Sequence, residues 1–134
     1  MSGTRPAPHP TAVSAPFWAG CARHELLLQR CADCTAAVFY PRSTCPSCGS
    51  ARLDHVPSGG RGTLYSYTVA RRATHRRLAD RVPYVIAIVE LAEGPRLTST
   101  VVGTDPDAVR IGMPLVVDFE DHEGFTVPVF REAP

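Results

Sequence analysis

Cys31-Ala32-Asp33-Cys34 and, after ten intervening residues, Cys45-Pro46-Ser47-Cys48 form the stretch whose reading decides how this chain folds. Two C-x-x-C pairs at this separation suit one tetrahedral Zn²⁺. Each pair closes a tight knuckle with both sulfurs aimed into one space, and the loop between them lets the knuckles face each other. Four thiolates fill the coordination shell, so the expected metal is one structural zinc per chain on Cys31, Cys34, Cys45 and Cys48. Two disulfides would suit a secreted chain, and no basic-then-apolar signal pattern is visible. A redox motif would want a single pair at a helix start, not two pairs flanking a short β-like segment. Gly49 follows the second knuckle, where a residue free of Cβ eases the turn, but Thr35 stands after the first.

A chain of 134 residues makes one small domain or two very small ones. Modules of that size bury little surface, and a structural metal is one usual remedy, able to add on the order of 10 kcal/mol to folding. No segment is long and apolar enough to span a bilayer, so a soluble protein is expected, with no membrane. Thiols reserved for metal point to a reducing cytoplasm. The net charge of +1 conceals an asymmetry: eleven Arg against four acids through Arg81, then three Arg against nine acids from Val82 onward. The sequence contains no Lys. A GC-rich coding bias would produce that, and so would a need for the planar fork of Arg against phosphate or carboxylate partners.

Outward from the cysteines, residues 1–15 are rich in Pro, Ser, Thr and Ala without a hydrophobic period, and read as a mobile tail. Ser14 is placed to cap a short helix with Pro16 in its first turn. Phe17 and Cys21 then share one face, which makes Cys21 a small buried hydrophobe and not a nucleophile. His24-Glu25 ends that helix. Leu26 to Arg30 feeds the first knuckle as a strand, and Val38-Phe39-Tyr40 pairs back until Pro41 stops it. Ser58-Gly59-Gly60-Arg61-Gly62 is the strongest linker signal. Five strand-like runs follow: Thr63 to Ala70, Tyr84 to Leu91, Arg96 to Val102, Leu115 to Glu120 and Phe125 to Phe130. Tyr84 to Val89 does not alternate, so both of its faces should be covered, one by the barrel interior and the other by the helix, the ribbon or a partner. Pro128 makes the last run an edge or bulged strand. Thr104 to Val109 reads as a capped single turn. The expected fold is mainly β: a short N-terminal helix plus a rubredoxin-like zinc ribbon in 16–57, then a five-stranded OB-fold barrel in 58–134.

The most charged connection is Arg71-Arg72-Ala73-Thr74-His75-Arg76-Arg77, between the first two barrel strands. It could hold a polyphosphate or a nucleic-acid backbone, or be a solvated loop. Tyr65 and Tyr67, two apart on one strand face, could stack a base or belong to the core or its rim. For catalysis the chain offers little. Its five His have no acidic or nucleophilic neighbour at a motif spacing, Glu120-Asp121 and Glu123 crowd a hairpin, and no phosphate loop, nucleophile elbow or dinucleotide fingerprint appears.

Taken in order, Pro16-Phe17-Trp18, Leu28-Gln29-Arg30-Cys31-x-x-Cys34, Pro41-Arg42, Cys45-Pro46-x-Cys48-Gly49 and Gly62-Thr63-Leu64-Tyr65-Ser66-Tyr67-Thr68 carry a resemblance that continues through Pro83-Tyr84, Val89-Glu90-Leu91-x-Glu93-Gly94, Ile111-Gly112-Met113-Pro114 and Pro128-Val129-Phe130. The chain resembles the acyl-CoA-associated zinc-ribbon/OB-fold proteins, a domain long catalogued as of unknown function. Thr35 in place of the usual Gly, and His55 where an aromatic is common, are departures. The resemblance implies a non-catalytic accessory subunit that binds and stabilises a thiolase-like aldolase or thiolase and helps hold its CoA thioester. Other members pair with hydratase-type subunits. In actinobacterial steroid side-chain degradation the partner aldolase cleaves a β-hydroxyacyl-CoA by retro-aldol chemistry. On this reading no catalytic residue is expected in the chain, the lyase or thiolase activity belongs to the complex, and Arg71, Arg72, Arg76 and Arg77 are the candidates for CoA phosphates. A nucleic-acid-binding ribbon/OB module is the alternative. The nine acids of the second half count against it, because backbone binding needs net positive coverage.

Overall fold

The computed structural model describes residues 5–134, so residues 1–4 of the expected tail lie outside the described residues. Residues 5–14 contain no helix or strand, and helix α1 spans Ala15–Ala22. Ser14 occupies the cap position, but its hydroxyl accepts from the Thr11 N–H (2.9 Å) and the Thr11 hydroxyl (3.1 Å) instead of from α1. The cap expected of Ser14 is therefore positional only, because the Thr11 turn takes its oxygen. Phe17, Gly20 and Cys21 form the buried face of α1. Gly20 is required there: a Cβ would stand 2.8 Å from the Leu27 side chain.

Three antiparallel strands build the ribbon: β1 (Leu27–Cys31), β2 (Ala37–Val38) and β3 (Leu53–Pro57), in the order β2-β1-β3. β2 is shorter than the expected Val38 to Tyr40 run, because Phe39 leaves the sheet to pack edge-on against Phe17 at 5.4 Å. β3 had no counterpart in the sequence reading. Its Leu53-Asp54-His55-Val56-Pro57 lacks a clean apolar alternation, yet it pairs with all of β1, from Leu27↔Pro57 to Cys31↔Leu53.

The second sheet comprises β4 (Arg61–Ala70), β5 (Tyr84–Leu91), β6 (Arg96–Ser99), β7 (Pro114–His122) and β8 (Phe125–Glu132), antiparallel in the order β6-β5-β4-β7-β8. The sheet curls until its ends approach. Val101 bridges to Phe130 in parallel, the Phe130 N–H reaches the Thr100 carbonyl (2.9 Å), and the Val102 N–H reaches the Phe130 carbonyl (2.8 Å). The expected third run, Arg96 to Val102, is thus split: its first half pairs with β5 and its second crosses to β8. This is a partly closed five-stranded barrel of the OB type. Pro128 lies on β8, at one edge of the sheet, where its missing N–H is tolerated.

Ribbon base and barrel share one core. Phe17, Cys21, Leu26 and Leu28 pack in the same cluster as Leu64, Val89, Leu115 and Phe130. The glycine-rich junction is ordered: the Ser58 N–H bonds the Leu26 carbonyl (2.8 Å), while the Ser58 hydroxyl and the Gly59 N–H hold the Glu93 carboxylate. Burial along β5 alternates: Val85, Ala87 and Val89 are buried, whereas Ile86 and Ile88 remain 39% and 37% exposed. The barrel interior covers one face as expected, while α1 packs on β8 and β1 and does not cover the other, for which a partner was the further expected cover. One sequence expectation fails here. Tyr65 and Tyr67 do not share a face, because a bulge between Leu64 and Ser66 breaks the alternation. Tyr65 points out under the Arg96 guanidinium, 3.7 Å from its ring centre, and Tyr67 packs on the core.

Phe130 is fully buried where the barrel closes. Phe130→Ala is expected to cost about 3–5 kcal/mol, the usual loss for an aromatic removed from a packed interior. Chemical denaturation of the zinc-loaded chain measures this, and a midpoint within error of the wild type would show that Phe130 does not lock the barrel.

Candidate functional site

The end of β1 and the loops after β1 and before β3 bring Cys31, Cys34, Cys45 and Cys48 together, all four sulfurs lying within 4.8 Å of one another. Sulfurs bound at about 2.3 Å to one tetrahedral zinc stand about 3.8 Å apart. The Cys31–Cys48 and Cys34–Cys45 separations are both 3.6 Å, so the donor set has the size zinc requires. Cys31 and Cys45 are buried, Cys34 half-buried and Cys48 exposed. In each knuckle the residue after the second cysteine closes the turn: the Thr35 N–H bonds the Cys31 carbonyl (2.9 Å) and the Gly49 N–H the Cys45 carbonyl (2.8 Å). Both residues need left-handed backbone, with φ of 64° at Thr35 and 80° at Gly49. For a β-branched residue that conformation is strained.

The electrostatics of the cluster call for a cation. The Cys34 N–H aimed at the Cys31 sulfur (3.4 Å) is the main reason that thiol is drawn down to about 6. The Ser50 N–H favours the Cys48 thiolate, yet its bond to the Cys31 sulfur, desolvation and its other thiol neighbours push Cys48 up to about 12. Four thiols this close cannot all ionise beside one another unless a divalent ion offsets the charge. Around the knuckles, Asp33 accepts from Ser50 and Arg52 (2.8 Å to the latter), tying the first knuckle to the start of β3. The buried Gln29 amide donates to the Arg42 carbonyl (2.9 Å) and accepts from the Arg42 N–H (2.8 Å), which fixes the loop after β2.

The second feature is an apolar groove of about 900 Å³ where α1, the ribbon loop and the barrel meet. Phe17, Trp18, Phe39 and Tyr40 form one wall, with Phe17–Trp18 ring centres 4.9 Å apart and edge-on. Tyr84, Ile86 and the segment from Leu97 to Thr104 form another. The Tyr40 hydroxyl accepts from the Thr98 N–H (3.0 Å), joining the walls at the free edge of β6.

The Arg-rich connection is partly structured: residues Arg76–Arg81 form a 3₁₀ turn, capped by His75 Nδ1 accepting from the Arg77 N–H (3.0 Å). Leu78 and Arg81, three apart and so on one side of such a turn, line the groove. Arg71, Arg72, Arg76 and Arg77 are exposed, and Arg71 is held by Asp107 at 3.2 Å, beside the groove residue Pro106.

Two clusters escaped the sequence reading. Glu120 accepts from His122 (2.7 Å) and Arg81 (3.2 Å) and lies 3.7 Å from Arg5. Asp121 meets His24 (3.0 Å) and accepts from Thr126 (2.7 Å), with the His24 ring stacked on Phe119. Burial opposes ionisation of Glu120, but His122, Arg81 and Arg5 outweigh it and hold its pKa below the ordinary range. His24 and Thr126 do the same for Asp121. The Glu120-x-His122 spacing on one strand was the available signal for the first. Nothing local announces the second, whose partners are 97 residues apart. Cys21 is wholly buried in the core, and burial pushes its thiol up to about 12.

Residues 18–54 match the family model described as "ChsH2, rubredoxin-like zinc ribbon domain", and residues 55–120 the one described as "ChsH2, C-terminal OB-fold domain". The chain is 45% identical over 119 residues to a "Probable enoyl-CoA hydratase alpha subunit" of Thermomonospora curvata, covering 87% of this chain and 37% of that protein. It is 39% identical over 116 residues to the "3-oxo-4,17-pregnadiene-20-carboxyl-CoA hydratase alpha subunit" of Mycobacterium tuberculosis, covering 78% of this chain and 34% of that protein. It therefore spans little more than a third of the length of these relatives. A "DUF35 domain-containing scaffold protein" of Methanothermobacter thermautotrophicus is 40% identical over 91 residues, 67% of this chain and 68% of that protein. Among solved structures, one described as "Ltp2-ChsH2(DUF35) aldolase" superposes with a TM-score of 0.87 at 40% identity, covering 96% of this chain and 100% of that one. A DUF35 protein of Sulfolobus solfataricus, 15% identical with a TM-score of 0.65 over 91% of this chain and 86% of that one, shows the shared fold alone.

One tightly held zinc per chain is expected on metal analysis of the purified protein, and Cys34→Ser should cost folding or solubility. Thr35→Gly relieves a left-handed β-branched residue and is expected to stabilise the zinc-bound chain by about 1–2 kcal/mol. Thermal denaturation reads this, and a lower midpoint would show that the Thr35 hydroxyl bond to the Cys34 carbonyl (2.6 Å) outweighs the strain.

Proposed function

This chain belongs to the DUF35 family, as a rubredoxin-like zinc ribbon followed by an OB-fold of the ChsH2 type, and on that premise we propose that it is the non-catalytic accessory subunit of an acyl-CoA enzyme. It binds and stabilises a thiolase-like aldolase and helps hold the CoA thioester. The reaction of the complex is the retro-aldol cleavage of a β-hydroxyacyl-CoA, in the degradation of steroid side chains. The observation that carries this is the superposition on the full length of the ChsH2(DUF35) chain of an aldolase. The names of the hydratase relatives, which are acyl-CoA enzymes and in one case act on a steroid thioester, support the ligand class.

The chain's own chemistry is consistent with an accessory role. The four ligand thiols are committed to metal, and the remaining thiol, Cys21, is sealed in the core and hard to ionise. The His24–Asp121 pair anchors β7 to the loop after α1, and the Arg81–Glu120 pair, shared with His122 of the same strand, ties it to the 3₁₀ turn, as structural links. The CoA phosphates are assigned to Arg72, Arg76 and Arg77, with Arg71 adding its second face beyond Asp107. Separation of Tyr65 from Tyr67 by the bulge removes the stacking pair that a nucleic-acid module would use.

Neither subunit should show full activity alone: acyl-CoA cleavage is expected only when this chain and its thiolase-like partner are mixed, and turnover by this chain alone would refute the reading. Arg76→Ala with Arg77→Ala is expected to leave the complex assembled and to weaken CoA thioester binding at least about tenfold, given about 1.5–3 kcal/mol per charged phosphate contact. Unchanged thioester affinity in an intact complex would remove the phosphate role. A loss confined to single-stranded nucleic acid would instead favour the nucleic-acid reading.

A further inference from the structure

We infer that the groove between ribbon and barrel receives the apolar acyl group of the thioester, so that this subunit takes part in choosing the acyl chain; the inference rests on the thioester-holding role proposed above. Its size is the first argument. About 900 Å³ lies within the range of roughly 300–1,000 Å³ typical of small-molecule sites, and far exceeds what an acetyl group needs.

The second argument is the wall. Phe17, Trp18, Phe39 and Tyr40 pack on one another at ring-centre distances of 4.6–5.4 Å, so this side is pre-formed rather than assembled on binding. Tyr40 is further held through its hydroxyl to Thr98. A rigid aromatic face favours a broad, inflexible apolar ligand, which surrenders little conformational freedom against it.

The third argument is the arrangement of charge. The 3₁₀ turn that sends Leu78 and Arg81 into the groove carries Arg76 and Arg77 on its exposed side, and among the described residues neither forms an ion pair. Pro106, also lining the groove, adjoins the Asp107–Arg71 pair. Exposed arginines thus stand on the turn, and beside the loop, that border an apolar trough. That is the complement of a ligand with a polyanionic head and an apolar tail. A protein side chain inserted from the partner would fill the trough but leave the arginine rim without a counterpart.

Trp18 is the single tryptophan of the chain and lines the groove, so it reports occupancy directly. The test titrates the zinc-loaded chain, alone and in complex with its partner, with acetyl-CoA and with lithocholyl-CoA, whose acyl group is a bulky fused-ring apolar one. Lithocholyl-CoA is expected to bind at least about tenfold more tightly and to shift Trp18 emission to the blue. Ile86→Glu, on the groove wall but 39% exposed, should bring the ratio of affinities close to one. Ile88→Glu, two residues along the same open face but outside the groove, should preserve it. Arg76→Ala with Arg77→Ala should weaken both thioesters alike. Equal affinity of the wild type for the two thioesters overturns this inference and leaves the phosphate-holding role standing. So does a preference that Ile86→Glu does not change. Binding of neither thioester, in the chain or in the complex, overturns the inference and the thioester role together. A blue shift on assembly with the partner alone, followed by no acyl preference, assigns the groove to the partner's side chains instead.

Discussion

Four thiolate sulfurs within 4.8 Å of one another are tolerable only around a cation, and the rest of the chain is hung from that constraint. Cys31 is the last residue of β1, and the same strand carries Leu28 into the core shared with the barrel. Pinning one end of β1 to zinc therefore sets the register of β2 and β3 beside it and the depth at which its apolar residues enter the barrel core. The ribbon proper has only a small cluster of its own, Cys31, Val38 and Cys45 with a few partly buried neighbours. Burial on that scale does not offset the entropy of ordering some thirty residues, so the metal supplies what packing cannot.

Sequence reading succeeded where a residue type has one physical use. The paired cysteines have few alternatives to zinc. β7 alternates Leu115, Val117 and Phe119 with polar neighbours, as a strand with one wet face must. It failed where the determinant is non-local. β3 is a strand because β1 offers it a complete edge, not because its own residues favour one. The bulge at Tyr65 reassigns two aromatic side chains without any glycine or proline to announce it. The continuous apolar run of β5 suggested burial on both faces, but periodicity cannot tell a covered face from one kept for something outside the chain. Of the candidate site, the metal ligands were legible in full and the arginines as a cluster. The groove was not, because its walls come from five segments far apart in sequence.

The groove exists because the two modules do not meet flush. α1 leans on β8 and β1, the ribbon loop sends Phe39 and Tyr40 back toward β6, and the 3₁₀ turn after β4 closes the far side. Two of the walls are anchored by interactions with another purpose: Gln29 holds Arg42 next to Pro41, and Glu120 holds Arg81. A cavity bounded by independently braced elements keeps its shape without a ligand, which lowers the ordering cost of binding.

Charge distribution carries the argument one step further. The acidic last part of the sequence offsets some of the charge of the basic first part in the fold, through Arg5 and Arg81 on Glu120, His24 on Asp121 and Arg71 on Asp107. The asymmetry that suggested a nucleic-acid surface is thus reduced inside the molecule. Among the described residues Arg72, Arg76 and Arg77 make no ion pair, and they stand together on one connection. Isolated surface arginines scattered for solubility would have no reason to cluster against an apolar rim, where their mutual repulsion raises the free energy of the folded chain. Such repulsion is relieved by a multivalent anion that touches several of them at once. A mononegative ligand would relieve it less, and a long nucleic-acid backbone would need the acidic flank of β7 and β8 to give way. On the function proposed above, the arginines left after internal pairing would meet a compact polyphosphate head, with the apolar remainder of the ligand directed into the groove.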